Sequence, residues 1–157
     1  MNIRKAQLDE IPLIRIWLMD TAKWLKHKNI PQWERFLNYD ATEICLKDYE
    51  RDKLYVIEDI EGRIKGALSF GKAEEIDEKL WDNVNNAYYI HRIVVPQEFK
   101  GLKFGEYMIN WAKETAINYG KEIRLNCVQE NEVLYKYYVS SGFTYSGCKL
   151  GYHLFKI

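Results

Sequence analysis

Lys100, Gly101, Lys103 and Gly105 stand within six positions, in a polar connection (Pro96 to Gly105) that comes after an apolar run and opens a long amphipathic segment. Lys103 falls at the start of the predicted helix, where a cation opposes the macrodipole. That placement suits a bound anion, because helix N-terminal N–H groups and adjacent lysines would converge on a phosphate. A plain polar loop with two solvated lysines is the competing reading. The fixed-spacing phosphate motifs GxxxxGK[ST] and GxGxxG are both absent. His27, His91 and His153 are far apart and show no HExxH spacing, and Cys45, Cys127 and Cys148 form no CxxC pair, so no metal site is expected. Cys127 lies in a predicted strand with no flanking base and reads as a small buried residue rather than a nucleophile.

The elements that must position this loop are set by periodicity. Asn86–Val95 (NAYYIHRIVV) is almost continuously apolar or aromatic, as a central strand buried on both faces would be, and Pro96 stops it. Phe104, Tyr107, Met108, Trp111, Ala112, Thr115, Ala116 and Tyr119 recur at helical steps and predict a helix over 104–119, ended by Gly120. Upstream, Asn2–Ala6 reads as a strand. Ile11, Ile14, Leu18, Ala22 and Leu25 mark a helix over 8–28 with Asp9 as its N-cap, and Thr42–Arg51 is a second helix. Leu54–Ile60 and Arg63–Phe70 form a hairpin about Glu61-Gly62. Glu74–Val84 is polar, with room for one short helix. Ile123–Val128 is a strand, Asn131–Ser141 a short helix closed by Gly142, and Phe143–Cys148 and Tyr152–Ile157 a final strand pair. The expected architecture is a mixed α/β layer with interleaved helices, in one domain spanning 1–157.

Composition bounds the function. The 23 Lys+Arg balance 23 Asp+Glu, which argues against affinity from a broad phosphate-neutralising surface, so no nucleic-acid partner is expected. No run approaches the ~20 apolar residues of a membrane span, and Met1–Leu8 has no apolar signal region. The expectation is a reduced, cytoplasmic protein without a membrane partner.

The strand–loop–helix from Tyr89 to Trp111 and the strand and helix downstream of it resemble the GNAT superfamily of acetyl-coenzyme-A-dependent N-acetyltransferases. That family carries [Q/R]-x-x-G-x-[G/A] between its fourth strand and third helix. Here the hexad is Lys100-Gly101-Leu102-Lys103-Phe104-Gly105, with a basic first position, a matching final Gly and Lys103 in place of the middle Gly. Backbone N–H donation would survive that change if φ stays negative. Downstream, Leu125–Asn131 and then Leu134–Phe143 (LYKYYVSSGF) resemble the family's fifth strand, an Asn opening its fourth helix, and "YY…GF". The match is strongest over residues 86–143.

The resemblance implies a mostly antiparallel central sheet of six to seven strands with about four helices, strands four and five splaying apart to admit pantetheine. It implies acetyl-CoA as cosubstrate, no metal, and a primary amine of a small molecule or peptide as acceptor, attacked directly in a ternary complex. The cofactor set it implies is Ile93, Val94, Val95, Lys100, Gly101, Leu102, Lys103, Phe104, Gly105, Glu106, Asn126, Asn131, Tyr135 and Tyr138. Tyr138 is the expected proton donor to the leaving thiolate. The family often carries a Glu on strand four as base, or uses ordered water. The corresponding position here is Tyr89, a poor base, whereas His91 lies two residues on, on the same face, with an ordinary pKa suited to the task. His91 as a hydrogen-bonded core residue stays open. Trp24, Trp33, Tyr88 and Tyr89 are candidates for the acceptor pocket, and a homodimer is in keeping with a family where dimers are frequent. A non-catalytic acyl-CoA sensor or interaction module on the same fold is the alternative.

Overall fold

The structure, a computed structural model, describes residues 1–157. Seven strands form one sheet: β1 (Asn2–Lys5), β2 (Leu54–Glu58), β3 (Ile64–Gly71), β4 (Ala87–Val94), β5 (Glu122–Val128), β6 (Thr144–Lys149) and β7 (Tyr152–Lys156). Their spatial order is β1-β2-β3-β4-β5-β7-β6. Every neighbouring pair is antiparallel except β4 and β5, which run parallel. Four longer helices, α1 (Ile11–His27), α3 (Thr42–Glu50), α5 (Phe104–Asn118) and α6 (Glu132–Ser140), are joined by two short ones, α2 (Arg35–Asn38) and α4 (Glu75–Leu80). No helix is long and apolar enough to cross a membrane.

The sheet is sandwiched between helical layers because its strands alternate. Val56 packs with Ile14, Leu18 and Cys45 of α1 and α3, while the next residue, Ile57, packs with Met108 and Ile109 of α5 on the opposite face. Along α5 the buried stripe is Phe104, Met108, Ile109, Ala112 and Ala116. Tyr107 and Tyr119, expected in that stripe, are 41% and 67% exposed. The helical period puts them at its margin, where a phenol can reach water. The entry to α1 also differs from expectation. A 3-10 turn over Leu8–Glu10 precedes it, and Gln7 and Glu10 close a reciprocal capping box in place of an Asp9 cap.

Two irregularities shape the middle of the sheet. The register between β3 and β4 shifts between Ala67 and Ser69, and on the facing strand Arg92 adopts φ +52°. One extra residue on β4 therefore bulges there, which bends the strand and re-aims its side chains. Already ahead of the bulge, β4 parts from β5. Their pairing covers only Ala87–Tyr89 against Glu122–Arg124, while β5 continues to Val128 on β7.

Candidate active site

A cleft of about 800 Å³ opens between the diverging strands. Ile90, His91, Arg92, Ile93 and Val95 line one wall and Asn126, Cys127 and Val128 the other. Its volume falls within the range of small-molecule sites. The Asn126 Nδ2 amide is buried in that wall with no hydrogen-bond partner. A buried unpaired donor is costly unless a ligand satisfies it.

One end of the cleft is the lysine–glycine loop. Lys100, Gly101, Lys103, Phe104, Gly105 and Glu106 all line it. The turn into α5 uses left-handed backbone twice, at Gly101 (φ +84°) and at Lys103 (φ +63°). The expectation of negative φ at Lys103 is therefore corrected. The chain turns there as a glycine would, and Lys103 carries the steric cost of doing so with a side chain. Gly105 is held small by its neighbour: a Cβ there would lie 3.4 Å from the Tyr137 hydroxyl. Asn131 caps α6, its Oδ1 accepting from Leu134 N–H at 3.1 Å. Its Nδ2 donates to Gln32 Oε1 at 2.9 Å, tying the loop after α1 to α6. Lys100 Nζ lies 4.4 Å from the Trp24 ring, a cation–π contact that draws the end of α1 to the same loop.

The other end is a network of buried charge. Arg92, at the bulge, forks onto Asp48 at 2.7 and 2.8 Å and also donates to Glu74. Lys53 Nζ reaches Glu74 Oε1 and the Lys72 carbonyl, both at 2.9 Å. Burial works to raise the Glu74 pKa, but the charge of His91, Arg92 and Lys53 outweighs it and holds the carboxyl below the usual carboxylate range. Asp77 Oδ2 accepts from Glu74 N–H at 2.7 Å and bonds His91 Nε2 at 2.8 Å. His91 thus lines the cleft with one nitrogen already engaged.

Of the residues singled out from sequence, Ile93, Val95, Asn126, Asn131, Tyr138, Trp24 and Trp33 also line the cleft. Five side chains lie outside it, each for a physical cause. Tyr88 points to the α5 face, edge-on to Phe70 and Tyr119. Tyr89 is fully buried, its hydroxyl accepting from Arg124 at 3.0 Å. Tyr135 turns onto Tyr145, His153 and Phe155 on the far side of α6. Leu102 is 58% exposed. The Val94 side chain is buried against α1, leaving only its backbone near the gap. Sequence reading passed over Arg35, Glu74, Arg92 and Tyr137, which line the cleft, and Asp77, which supports His91. The only local signal was the acidic run Glu74–Glu78 that caps and opens the short helix α4.

Burial pushes the Cys45 and Cys127 thiols up to about 12, whereas Cys148 is exposed. An aromatic disulfide reagent should therefore titrate one thiol in the native protein and three after denaturation. Rapid native reaction of a second thiol would contradict this placement.

A parallel pair splaying from an otherwise antiparallel sheet, with a lysine–glycine turn at one end of the gap, defines a class. The model of the Acetyltransferase (GNAT) family matches residues 17–143, and the chain belongs to that family. The chain is 29% identical over 144 residues to "Uncharacterized N-acetyltransferase YesJ" of Bacillus subtilis (strain 168), covering 88% of this chain and 79% of the relative. A GNAT-family acetyltransferase structure from Listeria monocytogenes superposes with TM-score 0.84 at 29% identity, over 99% of this chain and 93% of that one. The PaiA N-acetyltransferase of Thermoplasma acidophilum, solved in complex with coenzyme A, shares the fold with TM-score 0.78 at 16% identity, over 99% and 96% of the two chains.

Proposed function

We propose that this chain moves an acetyl group from acetyl-CoA to a primary amine of a small molecule or peptide, by direct attack within a ternary complex. One observation carries the reading: the gap past Tyr89 and Arg124 joins an anion-suited loop to His91, and its wall presents the unpartnered Asn126 amide. That donor suits an amide- and carbonyl-bearing pantetheine arm, and Lys100 and Lys103 suit a pyrophosphate. PaiA, which shares the fold, was solved with coenzyme A.

Acetyl-CoA supplies the activated acyl thioester. The chain's residues do the rest. The freed edge of β4 offers backbone N–H groups, among them one near Val94, to a carbonyl oxygen as it gains charge. Asp77 Oδ2 accepts hydrogen bonds from Glu74 N–H and from the Nε2–H of His91, which leaves Nδ1 as the acceptor nitrogen. His91 Nδ1 then receives the proton shed by the attacking amine. Tyr138 Oη gives up a proton to the departing sulfur. Holding both substrates in one cleft makes the reaction effectively unimolecular.

The test is thiol release over a panel of amines, beside calorimetric titration of acetyl-CoA. Tight acetyl-CoA binding with no thiol released from any amine would sink the enzymatic reading in favour of a sensor. His91→Ala should lower kcat about 10²-fold and remove the acidic limb of its pH profile. A retained limb would assign that proton elsewhere. Lys103→Glu should weaken acetyl-CoA binding about tenfold or more. Lys103→Gly, which removes cation and left-handed strain together, should weaken it less and not lower Tm. Equal dissociation constants in all three proteins would place Lys103 in solvent.

A further inference from the structure

At the end of the cleft opposite the lysines, one guanidinium has no carboxylate within ion-pair distance. Arg92 pairs with Asp48 and Glu74 and Lys53 with Glu74, while the imidazole of His91 hydrogen-bonds Asp77. Arg35 opens α2 and lines the same cleft, yet no carboxylate of the chain pairs with it. Its guanidinium lies 4.8 Å over the ring of Phe36, which is buried and braced edge-on by Trp33. Stacking of this kind holds the planar fork in place and leaves its donors free. Partial loss of water and the neighbouring charge of Arg92 lower its pKa, against a smaller raising influence of Glu74, Tyr152 and Asp48. Arg35 is itself exposed at the cleft's margin, and a guanidinium fork matches a carboxylate with two parallel bonds. The Tyr152 phenol lines the cleft and lies within electrostatic reach of Arg35, offering a second polar contact. Glu74 also lines the cleft and favours an ammonium nearby, while Trp33 and Ile76 give apolar walls for a short carbon skeleton.

We propose that the acceptor is a small zwitterion of amino-acid type, its amine presented toward His91 and its carboxylate received by Arg35. This rests on the acetyl-transfer reading of the same cleft. Diamines and polyamines are disfavoured, since their second cation would face Arg35 and Arg92.

The experiment uses matched amines on one carbon skeleton: the amino acid, its primary carboxamide and its aminophosphonate. With acetyl-CoA saturating, kcat/KM for the acid should exceed that for the amide by about tenfold or more, chiefly through KM. Arg35→Gln should bring that ratio to within about threefold of one, and Arg35→Lys should restore part of it. A ratio near one in the unaltered enzyme, a preference that survives Arg35→Gln, or a preference for the phosphonate would each overturn the proposal. If acetyl-CoA binds and no amine releases thiol, the acetyl-transfer reading fails on its own. The carboxylate site is then judged by titrating N-acetyl amino acids and their amides into the coenzyme-A-loaded protein. Binding of the acids alone, lost in Arg35→Gln, upholds the site; equal binding of acid and amide, or none, rejects it.

Discussion

Tyr138→Phe is expected to lower kcat about 10²–10⁴-fold while the acetyl-CoA dissociation constant stays within about threefold. The ring is packed into the core, with centroids 5.5 Å from Phe155, 6.0 Å from Phe143 and 5.8 Å from Tyr137. Phenylalanine keeps all of that packing, so the substitution removes one hydroxyl and little stability. Burial pushes the phenol's pKa well above its ordinary value, with smaller upward contributions from Cys127 and Tyr137. The group therefore holds its proton throughout the working range; the raised pKa makes it a weaker acid, so donation depends on the negative charge that develops on the sulfur as the C–S bond breaks. A ring locked by three aromatic neighbours also needs no reorganisation at that moment. Thiol release measured beside calorimetric titration separates the two effects. Turnover unchanged in Tyr138→Phe would move the acid role to another group or to water.

Asp48→Asn should cost about 3 kcal/mol of stability, or a fall in Tm of roughly 6–12 °C for a domain of this size. Asp48 and Arg92 are both almost fully buried, with 4% and 6% of their side chains exposed. Removing the Asp48 charge leaves buried Arg92 with Glu74 alone, a carboxylate it shares with Lys53. The site should suffer as well as the fold, because Arg92 sits at φ +52° in the bulge and its ties to Asp48 and Glu74 hold the strand in that shape beside His91. Thermal unfolding and kcat measured together should fall together. The pH dependence has a definite sign. The folded-state pKa of Glu74 is depressed, so its contribution is complete above its unfolded value of about 4.3 and is lost as pH falls through the lower folded value. Stability should drop below about pH 4, and Glu74→Gln should flatten that limb while lowering the plateau above it. A variant as stable as the parent at pH 7 would show that the network contributes nothing net.

Local pattern carried much of this protein. The period of 3.6 along α1 and α5, the β-branched hairpin of β2 and β3, and glycines closing α5 and α6 are properties of neighbouring residues, and a chain met without structure displays them. The same holds for the lysine–glycine loop, whose place between a buried strand and a long helix is written in order and spacing. Side-chain direction on β4 was not available in that way. A strand alternates with period two only while its register is unbroken, and the bulge at Arg92 shifts the phase by one residue. Tyr88 and Tyr89 lie ahead of the bulge, where β4 is still paired with β5 and the gap has not opened, so they stay outside the cleft that Ile90 to Ile93 line.

The charged end of the site lay further out of reach. His91 meets Asp77 across 14 positions, Arg92 meets Asp48 across 44, and Asn131 meets Gln32 across 99. Pairing at such separation leaves no trace in local composition, because each partner reads alone as an ordinary surface acid, base or amide. Sequence alone determined that the chain folds as strands and helices in this order, with an anion-suited loop ahead of α5. Only the tertiary structure decided which carboxylates pair with which cations, and so that Arg35 lines the cleft without a carboxylate partner. The physical reason is that periodicity is set by bonded neighbours, while charge compensation is set by whichever groups the folded chain takes out of water together.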